Sequence, residues 1–343
     1  MTAEYPWQQY LRDAAQLAAA DDAPHGPNPR VGCIVLDEDG HVVGRGYHRG
    51  AGTAHAEAVA LGQAGQHSRD GTAIVTLEPC VHVGRTGPCT EALLAAGIRR
   101  VVYGQAEPSD RGGAAALREH GVEVVGPFAV GEWQQLNTEW THFQRTGKPF
   151  VTLKMAMSLD GRVGGPGNRP LRITGDAARA WTHQLRSQVA AVMVGTGTAL
   201  ADDPLLTVRD EFGHAAPNQP LRVVIGTRPL PDDLALKRQP GDWLHLQHTD
   251  LEAALRHLAG REAWHVLVEG GPTLATALLE RQLVDRLTWF IAPTIVGAGP
   301  VSLPLRLPQT HLRVVQVRQI GEDVLVIADP RRPADEPQTL GSR

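Results

Sequence analysis

The chain of 343 residues is about twice a typical domain, so two domains are expected. Apolar residues make up 42% and charged residues 20%, enough for a sizeable core, and 37 Gly with 25 Pro stay below the share that marks low complexity. A formal net charge of −4 without a basic block argues against a nucleic-acid partner, and no apolar run approaches the roughly 18–20 residues of a membrane span. Glu4, Arg12 and Asp13 interrupt the first apolar residues, which is not a signal-peptide pattern. Three cysteines cannot complete a disulfide framework, so a cytoplasmic α/β protein is expected.

In chain order, Leu11, Ala14, Ala15, Leu17 and Ala18 keep helical spacing within Glu4 to Ala20. Val31 to Leu36 reads as a buried strand, Asp39-Gly40 as a hairpin turn and His41 to Tyr47 as the return strand. Helical spacing follows at Glu57 to Leu61, a strand at Thr72 to Leu77, and a helix at Glu91 to Ala96 that ends on Gly97. RRVVYG and VEVVG flank a helix at Ala114 to His120, and a last helix spans Gly131 to Arg145. The turn-rich Thr146 to Pro149 puts a boundary near Gly147, giving domains at 1–147 and 148–331. VTLKMAM, VAAVMVG, LRVVIG and WHVLVEGG then read as strands, with helices at Asp176 to Gln188 and Leu274 to Arg281. Leu287 to Ile291 and Asp323 to Ala328 finish the sheet, and 332–343 is expected to be a disordered tail. Alternating strands and helices imply layered α/β architecture in both halves.

The most specific signal is His55-Ala56-Glu57, followed by Glu78-Pro79-Cys80 and Pro88-Cys89. One imidazole and two thiolates suit a catalytic Zn²⁺ that keeps a fourth position for water. Helix starts near both cysteines would favour thiolate. Glu57 is too close to His55 to be a comfortable second ligand, but it can carry a proton from activated water. The order His-x-Glu, Pro-Cys, Cys is that of zinc-dependent base deaminases. Their general form has two residues between the cysteines, whereas eight intervene here, VHVGRTGP, a composition suited to gripping an anionic substrate. A structural zinc closed by His82 and a nucleic-acid deaminase are the rivals. Aromatics at 5% and negative charge disfavour the polymer, and Cys33, inside an apolar strand, reads as core.

In the second half, EGGPTLATALLE reads as a strand, a Gly-Gly turn and a helix start where backbone N–H groups can approach a phosphate, without the G-x-G-x-x-G fingerprint. VGTGTALADDP exposes Thr196, Thr198 and Asp202 at the end of a buried strand, a common ligand position in α/β sheets. Arg186 and Arg209 read equally well as solvated surface charges.

Several stretches resemble the bifunctional riboflavin-biosynthesis deaminase/reductase family. In the first half these are Pro27-Asn28-Pro29-Arg30-Val31-Gly32-Cys33, Gly46-Tyr47-His48, His55-Ala56-Glu57 and the long Cys80 to Cys89 loop with its Gly-Arg-Thr. In the second they are Leu153-Lys154-Met155-Ala156, Ser158-Leu159-Asp160-Gly161-Arg162, Val194 to Thr198, Ala201-Asp202-Asp203-Pro204, Leu206 to Arg209 and Val268 to Leu274. The likeness runs from about Glu4 to Asp329 in the family's order. It implies a cytidine-deaminase-like α/β/α domain followed by a dihydrofolate-reductase-like α/β domain, one Zn²⁺ per chain, NADPH, a small-molecule pyrimidine ribosyl phosphate substrate and a homo-oligomer.

By the same resemblance, His55, Cys80 and Cys89 hold the metal, Glu57 is catalytic, and Asn28, His48 and Arg85 bind the deaminase substrate. Ala156, Thr198, Asp202, Gly271, Pro272, Thr273, Leu274, Ala275, Thr276 and Ala277 contact NADPH. Lys154, Arg186, Leu206, Arg209 and Glu269 hold the reductase substrate. The implied reactions are deamination of 2,5-diamino-6-ribosylamino-4(3H)-pyrimidinone 5′-phosphate, then reduction of its ribosyl group to ribityl. The chain departs from the family at Glu107-Pro108-Ser109-Asp110, where Asp-Pro-Asn-Pro is common, and at Pro170-Leu171-Arg172, where Ser-x-Trp is frequent. A paralogue acting on another pyrimidine, a chain active in one half only, and a zinc-stabilised binding protein without turnover are the alternatives.

Overall fold

The computed structural model describes residues 7–20, 26–50, 52–81, 87–109, 111–128, 131–210, 212–303 and 309–331. The chain separates into two compact units, Met1–Gly147 and Lys148–Arg343.

The first unit runs α1 (Trp7–Ala18), β1 (Gly32–Leu36), β2 (Val42–Tyr47), α2 (Ala56–Ala64), β3 (Thr72–Leu77), α3 (Cys89–Ala95), β4 (Arg100–Gln105), α4 (Ala114–Glu119), β5 (Glu123–Val125) and α5 (Thr138–Thr146). Its five-stranded sheet has the order β2-β1-β3-β4-β5. β1 is antiparallel to β2 and β3, and β3, β4 and β5 are parallel. Strand alternation builds two cores. Cys33, Val35, Val75 and Val101 pack with Ala56, Ala60, Leu93 and Leu117 of α2, α3 and α4. Ile34, Leu36, Ile74 and Val102 face Leu11, Ala14 and Ala15 of α1. Helices therefore cover both faces, as in cytidine deaminases. The helix expected over Gly131 to Arg145 is broken: Glu132–Gln134 is a short 3-10 turn and α5 starts after Asn137. Asn137 is the reason, since its amide exchanges two hydrogen bonds with the backbone of Arg30, at 2.8 and 2.9 Å. That exchange also fixes the loop carrying Asn28.

The second unit runs β6 (Phe150–Ser158), α6 (Asp176–Arg186), β7 (Ala191–Gly195), α7 (Thr196–Asp202), β8 (Leu221–Ile225), β9 (Trp243–Leu246), α8 (Leu251–Ala259), β10 (His265–Val268), α9 (Pro272–Glu280), β11 (Arg286–Ala292), β12 (Leu312–Ile320) and β13 (Asp323–Pro330). The eight-stranded sheet has the order β12-β13-β11-β6-β10-β7-β8-β9. Its central strands are parallel, and β12 and β13 close one side antiparallel. Leu251, Leu255 and Leu258 of α8 and Leu274, Ala275 and Leu278 of α9 cover one face. Val192, Val194 and Val224 face the other, with Ala199 of α7. This is the dihydrofolate-reductase-like arrangement. The stretch from Thr196, read as the exposed end of a buried strand, is the helix α7. No helix among the described residues is long and apolar enough to cross a membrane.

Candidate active sites

In the first unit α2 sits against β2 because β2 carries glycines there. A Cβ at Gly46 would stand 2.4 Å from the Ala56 carbonyl oxygen, and one at Gly44 would stand 2.2 Å from that of Ala60. The close approach delivers His55, the residue before α2, and buried Glu57 in its first turn. Cys89 opens α3. Cys80 does not sit at a helix start as expected; it follows β3 and bridges to Gly112. Glu78 fixes that bridge, since its carboxylate accepts the Ala114 N–H at 2.9 Å and the Glu107 N–H at 3.2 Å. Glu78 belongs to the motif read from the sequence, yet its work there is to hold the loop opposite Cys80.

The donor atoms of His55, Cys80 and Cys89 all lie within 4.8 Å of one another. His55 Nδ1 is 3.0 Å from Cys89 Sγ and 3.7 Å from Cys80 Sγ. The Cys89 thiol, together with His55, holds Cys80 well below the usual thiol range. Cys89 is in turn pushed up by the Cys80 sulfur, by burial and by Glu57. Two sulfurs sharing a proton beside an imidazole nitrogen form a donor set that a divalent, borderline-soft cation satisfies better than the proton does, so the residues fit zinc. Burial raises the Glu57 carboxyl above its ordinary range. Cys33 is fully buried in the core, as expected.

His48 is buried, with its ring edge-on to His55 at 5.5 Å between centroids. Its Nδ1 lies 3.2 Å from the Ala54 carbonyl oxygen and its Nε2 lies 2.9 Å from the Asn28 amide nitrogen. The carbonyl requires Nδ1–H, so Nε2 accepts from Asn28 and the imidazole is neutral. Burial lowers its proton affinity in the same sense. Arg85 and His82 lie outside the described residues. At the departure after β4, the Glu107 carboxylate accepts from the Ser109 N–H at 2.8 Å and from its hydroxyl at 2.7 Å, closing a local turn.

The second unit holds a cleft of about 930 Å³. It is lined by Lys154 and Ala156 of β6, Thr198 and Asp202 of α7, Glu269, and Gly271 to Leu274 with Ala277. The Gly271 N–H donates to Thr198 Oγ1 at 3.0 Å, which ties the glycine turn to α7. Ala275 and Thr276 are buried away from this lining. Arg186, Leu206 and Arg209 do not line the cleft either, though Arg186 reaches it through Glu269. Leu206, with φ at 55°, is fully buried in the core. Arg186 is no surface charge: it forms a two-pronged ion pair with Glu269 and donates to the Thr207 carbonyl. Burial acts to raise the Glu269 carboxyl, but Arg186 and Lys154 outweigh it and hold the group below its usual range. Burial lowers Lys154, with Glu269 opposing. His183, which the sequence did not mark, accepts the Arg209 N–H at 3.3 Å; burial, Arg186 and Arg209 all disfavour its protonation. Pro170 lines the cleft, whereas Arg172 pairs with Asp176 at the start of α6. Thr196, singled out at the end of its strand, also lines it; Arg228, His248 and Arg281 line it too and went unmarked, because isolated polar residues carry no spacing signal.

Comparison with known proteins decides the family. Residues 5–105 match the cytidine and deoxycytidylate deaminase zinc-binding region, and residues 149–326 match the RibD C-terminal domain. The riboflavin biosynthesis protein RibD of Escherichia coli K12 is 36% identical over 360 residues, covering 92% of this chain and 97% of that protein. The chain belongs to the RibD family. RibD of Mycobacterium tuberculosis H37Rv is 41% identical over 279 residues, covering 80% of this chain and 81% of its own. The structure of RibD from Acinetobacter baumannii superposes with a TM-score of 0.88 at 32% identity, over 95% of this chain and 99% of that one. A Thermotoga maritima deaminase/reductase gives a TM-score of 0.85 at 29% identity over the same shares. RibD proteins are bifunctional deaminase/reductases of riboflavin biosynthesis, and this chain carries both the zinc-binding deaminase domain and the NADPH-using reductase domain.

Proposed function

We propose that the first unit deaminates 2,5-diamino-6-ribosylamino-4(3H)-pyrimidinone 5′-phosphate and that the second reduces the ribosyl carbon of the product. The convergence of His55, Cys80 and Cys89 beside buried Glu57 carries this reading. Those three side chains would hold the zinc ion, which when bound supplies the Lewis acidity that makes water a nucleophile near neutral pH. A carboxyl whose proton affinity is raised by burial suits shuttling: Glu57 takes one proton of the attacking water at its carboxylate oxygen and gives it to the ring nitrogen, then takes the second from the hydroxyl added to the carbon and gives it to the amino group that leaves as ammonia. Neutral His48 and Asn28, locked to each other, offer a fixed polar edge to the pyrimidine. Arg85 is assigned to the phosphate on its place in the Gly-Arg-Thr loop.

In the reductase unit NADPH supplies the hydride. Thr198, Asp202 and the Gly271 turn at the start of α9 are assigned to the cofactor, which fits a helix N-terminus approaching phosphates. Lys154 orients the ribosyl group and gives up a proton at Nζ, a transfer that burial eases. Glu269 holds Lys154 on one side and Arg186 on the other. Arg209 is assigned to the substrate phosphate, with His183 fixing its backbone.

We also infer a homo-oligomer in the cytoplasm. Exposed Val314 and Val317 on edge strand β12, at 60% and 59%, support self-association. All three cysteines are free thiols, which suits a reducing compartment.

Incubation of zinc-replete protein with the diaminopyrimidine ribosyl phosphate tests the reading. Ammonia release without NADPH, followed by NADPH oxidation on its addition, is expected. Metal-replete protein that releases no ammonia from this substrate would favour the paralogue, with Glu107 and Ser109 as the residues to exchange.

A further inference from the structure

The reductase cleft follows the strand order β6-β10-β7-β8-β9, so it has two chemically different ends. Lys154 and Glu269 mark the β6 end, which the proposed function assigns to hydride delivery. The glycine turn before α9 lies between, and Gly226, Arg228, His248 and Thr249 lie at the β8 and β9 end. A dinucleotide with its nicotinamide at Lys154 and its pyrophosphate at the turn must place its adenosine half toward β8 and β9.

Arg228 is built into that end. Its Nε donates to Thr196 Oγ1 at 3.3 Å. A Cβ at Gly197 would stand 2.8 Å from Arg228 Nη2, so the guanidinium lies close against the first turn of α7. Among the described residues Arg228 has no carboxylate partner, which leaves its two Nη groups free to donate. His248 contributes a second observation, since its Nδ1 is buried without a hydrogen-bond partner. The lining's two carboxylates do not neutralise Arg228: Glu269 is committed to Arg186, and Asp202 makes no ion pair among the described residues.

We propose that Arg228, braced on Thr196, grips the 2′-phosphate of NADPH and sets the preference for NADPH over NADH. An arginine fork suits a phosphate monoester, whereas a reader of the unphosphorylated ribose uses a carboxylate. The assignment rests on the cleft being the dinucleotide site.

Calorimetric titration of the full-length, zinc-loaded protein with 2′,5′-ADP and with 5′-AMP tests it without turnover. The wild type is expected to bind 2′,5′-ADP at least about tenfold more tightly than 5′-AMP, a difference of about 1.4 kcal/mol. Arg228→Ala is expected to erase that difference while 5′-AMP affinity holds, and Arg228→Lys to keep part of it. If Arg228→Ala leaves the difference intact, or if Arg281→Ala removes it instead, the assignment to Arg228 is overturned and the cleft reading stands. If the wild type binds neither nucleotide, the cleft reading fails and takes the assignment with it.

Discussion

Arg186 and Glu269 meet as a two-pronged ion pair at the edge of the reductase cleft, with Nε 2.6 Å from Oε1 and Nη2 2.9 Å from Oε2. Both side chains are 12% exposed, so the pair is well shielded from water. A pair in such a place is costly to break, because the surviving charge has nowhere to go. Glu269 also raises the proton affinity of Lys154, against burial and against Arg186.

Glu269→Gln therefore has two consequences. Reductase kcat/KM is expected to fall about tenfold to a hundredfold, the loss of a charge-assisted contact worth about 1.5–3 kcal/mol. Without the carboxylate, Lys154 loses its proton at lower pH, so the basic limb of the reductase pH profile moves to lower pH. A steep loss of rate with an unmoved limb would separate Lys154 from the proton transfer.

Cys89→Ser removes one sulfur from the donor set. Metal analysis is expected to fall from one zinc per chain to a small fraction, with a lower melting temperature, since bound metal stabilises the folded state by mass action. Unchanged zinc content would show that the ligand set is wrong.

Gly46→Ala tests how α2 is positioned. A methyl 2.4 Å from the Ala56 carbonyl oxygen forces the helix outward, at a cost of about 1–3 kcal/mol for overpacking. Deaminase activity and zinc affinity should both drop while NADPH oxidation on the deaminated intermediate persists. Retained deamination would mean that α2 can shift without moving His55 and Glu57.

Removing the Glu78 carboxylate leaves the Ala114 and Glu107 N–H groups without their acceptor. Glu78→Ala is expected to cost about 1–3 kcal/mol of stability and to weaken zinc binding through Cys80. Glu78→Gln keeps one acceptor oxygen and should recover part of both, a split that denaturant unfolding and metal competition would resolve.

The zinc constellation was legible in the sequence because coordination chemistry needs particular residue types at restricted spacings. The strands β1, β3, β7, β8 and β10 were legible because each is a short buried apolar run. β12 was not, since nearly all its residues are exposed and no alternation separates a buried face. β9 and α8 were also unmarked, the former only four residues long and half-exposed. α7 was not marked as a helix because Gly197 and two threonines weaken its helical propensity; its packing through Ala199 overrides them. Arg186 illustrates the remaining gap. Its partner lies 83 positions away, and a single arginine says nothing of burial until the sheet brings β10 beside α6.

Glu57→Gln tests the central claim most directly. The variant keeps the shape of the buried side chain and removes its charge. It is expected to hold its zinc, to release ammonia at least about a thousandfold more slowly, in line with the loss of a general acid/base group, and to oxidise NADPH normally when supplied with the deaminated intermediate. Full ammonia release from a zinc-loaded Glu57→Gln protein would contradict the account.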